Sequence, residues 1–108
     1  MEQKRSACPI ANTLDEIGDR WTLLIIRDMY FVGKQRFEEF LESDEKISTN
    51  ILTDRLKRLE QLELITKEPY GSHPHRMSYT LTERGRSLGP VLEVIVQWGL
   101  EHIEGTHP

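Results

Sequence analysis

The sequence has little of what marks several large classes of protein. It contains one cysteine, Cys8, so it cannot form the internal disulfide framework on which many small secreted domains depend. Its longest aliphatic run extends from Leu23 to Ile26, far short of the ~20 residues that a membrane-spanning helix needs. No apolar signal segment follows the N-terminus, and no repeat or low-complexity tract is visible. We therefore expect a soluble, cytoplasmic protein.

Patterns typical of enzymes are also missing. The sequence shows no nucleophile beside a base, no paired-carboxylate site and no phosphate-binding glycine loop. His73 and His75 lie close together, but a second pair of metal ligands is not evident. We expect no enzyme activity, no metal and no cofactor.

The charge is acidic in total but unevenly distributed along the 108 residues. The formal net charge of −4 argues against a simple basic nucleic-acid coat protein. Residues 48–86, however, carry a net charge of +2, whereas residues 1–47 and 87–108 carry −3 each. A basic segment of this kind suggests an anionic partner, and an unevenly charged, solvated surface gives the same pattern.

Hydrophobic spacing predicts three helices in the first part of the chain. The first opens at Pro9, because proline suits the first helical position, and ends at Gly18. Asp19 is the expected N-cap of a second, largely buried helix, and a turn follows at Gly33. A short third helix carries Phe37 and the apolar residues spaced three and four positions after it.

The fourth predicted helix runs from Thr49 to Leu62. Ser48 is its expected N-cap, and Ile47 with Leu52 forms a hydrophobic staple that fixes how the chain enters the helix. The residues expected on its buried side are Ile51, Leu52, Leu56 and Leu59. The residues expected on its opposite side are Asn50, Thr53, Asp54, Lys57 and Arg58.

The pattern then changes to that of strands. One strand is predicted from Ile65 to Tyr70 and a second around Tyr79, with 71–75 as the hairpin tip. Thr82 is the expected cap of a final helix, which Pro90 should kink because proline removes a backbone donor and clashes with the preceding turn. This order of elements predicts a winged helix-turn-helix, a mainly α fold with a small β-hairpin.

A helix that reads DNA needs an apolar back that fixes its pose and an outward face of hydrogen-bond donors. The fourth helix offers both. Asn50 can pair with adenine, and Thr49 or Thr53 can contact a thymine methyl group. The residues predicted to contact DNA are Ser48, Thr49, Asn50, Thr53, Arg55, Lys57 and Arg58 in this segment and His73, His75 and Arg76 in the hairpin.

The roles of the charged residues stay open at this point. Arg55, Lys57 and Arg58 can neutralise phosphates, and Arg55 can instead pair with guanine if it points into the groove. Asp54 either supports Arg58 at helical i, i+4 spacing or accepts a hydrogen bond from cytosine. An ordinary amphipathic surface helix would carry the same residues, and a solvated loop would carry the same two histidines.

Several short segments, distributed over residues 8–99, together form one recognisable pattern. They are Cys8-Pro9-Ile10, Ile17 to Ile25, Arg36 to Phe40, Ile47 to Glu60, Tyr79 to Gly85 and Trp98-Gly99. In their order and spacing they resemble the HxlR-type transcriptional regulators, winged-helix proteins related to the MarR group. The resemblance implies a sequence-specific regulator that binds double-stranded DNA at an imperfect palindrome as a homodimer.

The resemblance also implies how a single domain of residues 1–108 is divided. Dimerisation helices are expected at 8–17 and 83–103, the helix-turn-helix at 36–62 and the wing at 65–82. The interface residues expected from it are Ile10, Leu14, Leu92, Ile95 and Trp98. The last helix is rich in apolar residues and has no basic residue, so it needs either a partner surface or packing within its own chain.

The sequence departs from the family pattern at a few positions. Glu63 stands where many members have a glycine after the fourth helix, and that turn often needs a left-handed residue. His75 occupies a wing position that is often proline. The loop with Glu42, Asp44 and Glu45 is more acidic than expected beside phosphates.

Cys8 has two interpretations. It precedes a helix N-terminus, with Lys4 and Arg5 a few residues upstream, and both features favour the reactive thiolate form. Several members of the resembled family use a cysteine at the matching position to sense oxidants or electrophiles. The alternative is a small buried residue that packs under the helix.

Two functions from different classes follow. The first is a DNA-binding regulator that responds to redox state through Cys8. The second is a winged-helix module that binds acidic protein partners without specific DNA binding. A DNA binder loses affinity steeply as salt is added, and a protein module does not.

Overall fold

A computed structural model describes residues 6–108 and, at His73 and Pro74, the backbone alone. The helices are α1 (Pro9–Ile17), α2 (Arg20–Arg27), α3 (Phe37–Leu41), α4 (Thr49–Gln61), α5 (Glu83–Arg86) and α6 (Gly89–His102). The strands β1 (Ile65–Tyr70) and β2 (His73–Leu81) form an antiparallel hairpin. This mainly helical fold with a two-stranded sheet confirms the predicted class. Among the described residues, no helix is both long and apolar enough to cross a membrane.

Local signals in the sequence determine where the helices begin and end. Gly18 caps the C-terminus of α1, as predicted. The Asp19 carboxylate accepts a hydrogen bond from a first-turn N–H of α2 at 3.0 Å, and the Ser48 hydroxyl does the same for α4 at 3.2 Å. α2 continues without a break into a π-helical turn, Asp28–Val32, which ends at the left-handed Gly33. Each cap satisfies a backbone group that would otherwise lack a partner.

The core forms where α4 packs against α2, α3 and β1. Leu52, Leu56 and Leu59 are at most 2% exposed, and Ile51, the fourth residue of the predicted buried side, is half-buried. The apolar side of α4 is therefore fixed against three other elements. Its opposite side faces away from the core.

The last helical region differs from the prediction. Thr82 caps α5, and a separate helix, α6, begins at Gly89. Pro90 lies in the first turn of α6, where its missing N–H breaks no helical hydrogen bond, so the predicted kink is wrong. Gly89 lies against the ring of Tyr30, since a Cβ atom at Gly89 would come within 2.1 Å of that ring. The start of α6 therefore packs closely against Tyr30.

The hairpin tip is shorter than predicted. Strand β2 already begins at His73, which pairs with Tyr70, so only Gly71 and Ser72 form the turn. The next pair is Pro69 with Met77, so in the described backbone, residues 74–76 have no partner in β1 and form a bulge in β2. Bulges of this kind bend a strand and redirect its side chains.

Glu63 adopts the left-handed conformation that a glycine would take more easily, with φ of 59°. The Leu64 N–H donates to the Leu59 carbonyl at 3.0 Å, and the Glu63 N–H donates to the Glu60 carbonyl at 2.9 Å. These two hydrogen bonds form the usual glycine-type end of a helix. The turn after α4 therefore has the geometry of a glycine-terminated helix despite the glutamate.

The loop before α4 is held by charged groups of α2 and its π-helical extension. Arg27 donates to both carboxylate oxygens of Glu45, at 2.8 and 2.9 Å, and to Asp28 at 2.7 and 2.9 Å. The buried Asp28 carboxylate also accepts from the Ser43 hydroxyl, which in turn accepts from the Lys34 ammonium at 2.8 Å. Part of the acidic loop is thus neutralised within the chain, and the start of α4 is anchored.

We expect the Glu45–Arg27 pair to make stability depend on acid. The Arg27 guanidinium stabilises the carboxylate and lowers the pKa of Glu45 from 4.5 to about 2. A carboxyl group with a depressed folded-state pKa stabilises the fold above its unfolded pKa, and that contribution is lost as the pH falls. Glu45→Gln should therefore be less stable than the parent at pH 7, and the difference should vanish between about pH 4.5 and pH 2.

Urea unfolding at a series of pH values measures this difference. Glu42→Gln is the matched control, because Glu42 is an exposed carboxylate of the same loop. It should change the free energy of unfolding little at any pH. A deficit in Glu45→Gln that persists at pH 2 would contradict the assignment.

Candidate nucleic-acid interface

The outward side of α4 is a continuous polar face. Its members are exposed and recur at intervals of three or four residues: Asn50, Thr53, Asp54, Lys57 and Gln61. Ser48 and Thr49 are exposed at the N-terminal end of the same helix. Gln61 is absent from the predicted contacts, although its i, i+4 spacing from Lys57 was a signal for it.

Two hydroxyl groups of this face are already engaged within the helix. The Thr53 hydroxyl donates to the Thr49 carbonyl at 2.8 Å, and the Ser48 hydroxyl is occupied as the N-cap. The Thr53 methyl group is left for an apolar contact. At the N-terminal end of this face, Asn50 carries a side-chain amide with donor and acceptor together, which is what paired recognition of adenine requires.

Some of the described basic side chains near this face are free of ion pairs, and others are bound within the chain. In the part of the chain that the structure describes, neither Lys57 nor Arg76 forms an ion pair. Arg76 and His75 are exposed on the hairpin, in the bulge of β2. The predicted contact through the side chain of His73 lies outside the described side chains.

Arg36 is a further exposed cation that the predicted contacts did not include. Its guanidinium lies 4.1 Å from the centre of the Tyr70 ring, and its backbone pairs with Ser78 of β2. The stacked arginine joins the start of α3 to the hairpin. No local spacing predicts this contact, because Arg36 and Tyr70 are far apart along the chain.

Arg55 is committed to other side chains of its own chain. Its Nε and Nη2 donate to the two carboxylate oxygens of Asp19 at 2.8 and 3.1 Å, and its Nη1 donates to Asp54 at 2.6 Å. The hydrogen bonds from Arg55 lower the pKa of Asp19 from 3.8 to about 2. The charge of Arg55 is therefore met by two carboxylates, and its side chain is half-buried.

Arg58 is committed to the backbone of α1. Its Nη2 donates to the carbonyl oxygens of Asp15 and Glu16 at 2.8 and 3.1 Å. The predicted support of Arg58 by Asp54 is wrong, because the Asp54 carboxylate pairs with its neighbour Arg55 instead. Both arginines thus lie on the side of α4 that meets α1 and α2, beside the outward face.

α1 and α6 each expose large apolar side chains. Ile10 and Leu14 are 71% and 59% exposed, and Ile95 and Trp98 are 50% and 57% exposed. Leu92, which was predicted on the same surface, is only 6% exposed and packs in the core of its own chain. Further exposed apolar residues of α6 that the prediction missed are Val91, Val94, Val96 and Leu100.

Cys8 is exposed at the N-cap of α1, so its interpretation as a buried packing residue is wrong. Its N–H donates to the Ser6 hydroxyl at 2.9 Å, and its carbonyl accepts from the Asn12 side chain at 3.0 Å. The cations Lys4 and Arg5 lie outside the described residues. Within residues 6–108 no three histidine, cysteine or acidic side chains cluster as metal ligands would.

Comparison with known proteins agrees with this geometry. Residues 16–107 match the family described as HxlR-like helix-turn-helix. The chain is 40% identical over 94 residues to the HTH-type transcriptional regulator MT3179 of Mycobacterium tuberculosis, and the match covers 87% of this chain. The chain spans only 58% of the length of that relative.

Solved structures are similar over nearly the whole chain. PA1607, a proposed transcription factor, superposes with a TM-score of 0.84 at 39% identity, over 97% of this chain and 74% of that one. The redox regulator HypR in its reduced form superposes with a TM-score of 0.80 at 34% identity, over 90% of this chain and 95% of that one. With a winged helix-turn-helix fold and a polar-faced α4, the chain belongs to the HxlR-like helix-turn-helix family of transcriptional regulators.

Proposed function

We propose that this regulator binds a specific duplex DNA sequence with α4 in the major groove. The observation that carries the proposal is the outward face of α4, where Asn50, Thr53 and Lys57 lie exposed on a helix whose other side is buried. An α-helix fits the major groove. Asn50 pairs with adenine, the Thr53 methyl group contacts thymine, and Lys57 neutralises a phosphate.

The hairpin supplies the flanking contacts in this proposal. Arg76 and His75 are exposed in its bulge, and the Arg36 guanidinium stacks on Tyr70, next to the hairpin turn. In this proposal the two arginines and the imidazole N–H of His75 contact phosphates beside the bases that α4 reads. Phosphate contacts position the protein, whereas base contacts specify the sequence.

Substitutions on α4 should separate these two kinds of contact. Lys57→Ala should weaken binding to all duplexes alike and reduce the log–log slope of affinity against salt by about 0.9. Asn50→Ala should cost about 1–3 kcal/mol on the preferred site and little on unrelated DNA. Fluorescence titration at several salt concentrations, with a duplex selected by the parent protein from a random library, measures both quantities.

Lys67→Ala is the control, because the Lys67 ammonium already lies 3.4 Å from the Glu60 carboxylate. It should leave the salt slope unchanged. A parent protein whose binding does not respond to salt would contradict DNA binding and favour the protein-interaction module. Equal loss on all duplexes for Asn50→Ala would show that Asn50 contacts no base.

We further propose that the chain acts as a homodimer joined through α1 and α6. The apolar side chains of Ile10, Leu14, Ile95 and Trp98 are exposed in the single chain, and apolar patches of this kind mark interaction surfaces. The radius of gyration is 14.9 Å, against about 13 Å for a compact domain of this length. A second copy would cover the protruding α6.

The dimer accounts for a palindromic operator. A two-fold axis through α6 presents α4 twice, in opposite directions, to one side of the duplex. Two half-sites then lie about 10 base pairs apart from centre to centre, or a multiple of that distance. The net charge of −4 on each chain weakens non-specific binding to DNA. Pairing offsets this weakness because it doubles the number of specific contacts.

A single acidic substitution should separate the two chains. Ile95→Asp places a charge in the proposed interface and should yield a folded monomer, because Ile95 is 50% exposed within its own chain. Sedimentation equilibrium gives the mass, and circular dichroism gives the helix content. Gln97→Asp adds the same charge on the polar side of α6 and should leave the dimer intact. A dimeric Ile95→Asp protein would place the interface elsewhere.

We also propose that Cys8 makes DNA binding responsive to oxidants. The thiol is exposed at the end of a proposed dimerisation helix, and the similar HypR is a redox regulator with solved reduced and oxidised forms. With one cysteine in each chain, oxidation gives a sulfenic acid, a mixed disulfide or a bond between two chains. Each product changes the charge or size of the group at the start of α1.

Cys8→Ser tests this response. Hydrogen peroxide or a quinone should change the DNA affinity of the parent protein, and a thiol reductant should reverse the change produced by peroxide. The Cys8→Ser protein should bind DNA with unchanged affinity in the presence of either oxidant. Equal responses of the two proteins would rule Cys8 out as the sensor.

A further inference from the structure

Two arginines join α4 to the corner between α1 and α2, which comprises residues 15–19. Arg55 meets the Asp19 carboxylate with two hydrogen bonds, and Arg58 meets the last carbonyls of α1 with two more. The two arginines are three residues apart, so they leave α4 on the same side. Gly18 keeps the corner tight, since a Cβ atom there would come within 2.4 Å of the Leu14 carbonyl oxygen.

The chemistry of these contacts favours a fixed geometry. The last carbonyl groups of a helix have no partner within the helix, and the partial negative charge at that end attracts a cation. Arg58 supplies both a donor and a charge there. The planar guanidinium of Arg55 matches the Asp19 carboxylate in a paired arrangement, which fixes direction as well as distance.

α1 has few other attachments to the protein. Ile17 is its only buried residue, and the exposed Ile10 and Leu14 contribute little packing within the chain. The arginine contacts at its C-terminal end therefore determine much of how α1 is oriented relative to α4. A second link is the Arg84–Glu16 ion pair at 2.9 Å, which holds the same corner from the side of α5.

We infer that Arg55 and Arg58 are positioning residues, which orient α4 against the corner between α1 and α2 and do not contact DNA. The inference rests on the proposed role of α4 in DNA binding. Recognition side chains must be held within about 0.5 Å of their productive geometry. A small rotation of α4 about its buried side would carry Asn50 out of reach of its base.

Removing the charge of Asp19 tests the inference without altering α4. Asp19→Asn keeps a side-chain oxygen that can cap α2, and it removes the carboxylate that orients Arg55. Affinity for the selected duplex should fall about tenfold, because a reoriented α4 loses well-placed base contacts. Affinity for a scrambled duplex and the salt slope should both stay at the parent values.

Arg55→Gln should behave in the same way, and the double variant Asp19→Asn/Arg55→Gln should bind no more weakly than either single variant. This non-additivity is the signature of two residues that act through one contact. Arg58→Gln is a second, independent variant, because it leaves the Asp19–Arg55 pair intact. It should also lower specific affinity with an unchanged salt slope. Thermal melts set the temperature of the titrations well below the midpoint of every variant.

Several results would overturn the inference. If Arg55→Gln or Arg58→Gln lowers the salt slope by about 0.9, that arginine contacts a phosphate. If Asp19→Asn raises the affinity or the slope, Asp19 does not position Arg55 and only neutralises a charge that can otherwise contact DNA. Parent-like specific affinity in all these variants would also refute positioning. The parent protein distinguishes failure of the inference from failure of the proposed function, because parent binding that does not respond to salt contradicts DNA binding itself.

Discussion

The burial of the apolar side of α4 is the constraint on which the rest of the structure depends. Leu52, Leu56 and Leu59 lose almost all contact with solvent, and a fully buried leucine contributes about 1.5–3 kcal/mol. Because three elements pack against this side, the helix has one orientation, and the polar residues from Asn50 to Lys57 face outward as a consequence. The caps, the Arg27 contacts and the arginines of α4 refine that orientation without creating it.

Elements defined by neighbouring residues could be predicted from the sequence. Asp19 and Ser48 accept hydrogen bonds from backbone N–H groups three residues later in the helices that they cap. Strand β1 has the bounds that its composition indicates. The partner of Arg55 lies 36 residues earlier, so no spacing within α4 reveals it, and the local rule favoured a pair between Asp54 and Arg58. The predicted kink at Pro90 was wrong for a related reason, because a continuous apolar pattern conceals the break between the short α5 and the long α6.

Counting charges along the sequence overstates the positive charge that is available on the folded molecule. Residues 48–86 are basic by two charges, but Arg55 is paired with two carboxylates and Arg84 with Glu16. The positive charges available to an anionic partner are therefore fewer than the count suggests, and Lys57 and Arg76 stand out among them. A surface with few available cations depends on well-placed contacts more than on overall attraction.

The contact between Tyr30 and Gly89 also affects how two copies of the chain would be arranged in an assembly. The Tyr30 ring occupies the space that a Cβ atom at position 89 would take, so a larger residue there would require the ring or α6 to move, and the angle at which α6 departs from the core would change with it. In any assembly built on α6, that angle determines how far apart two copies of α4 stand and how they are inclined. In the proposed dimer the Tyr30–Gly89 contact thereby affects the spacing of the two copies of α4, and a methyl group added at Gly89 would change that spacing without altering any residue of α4.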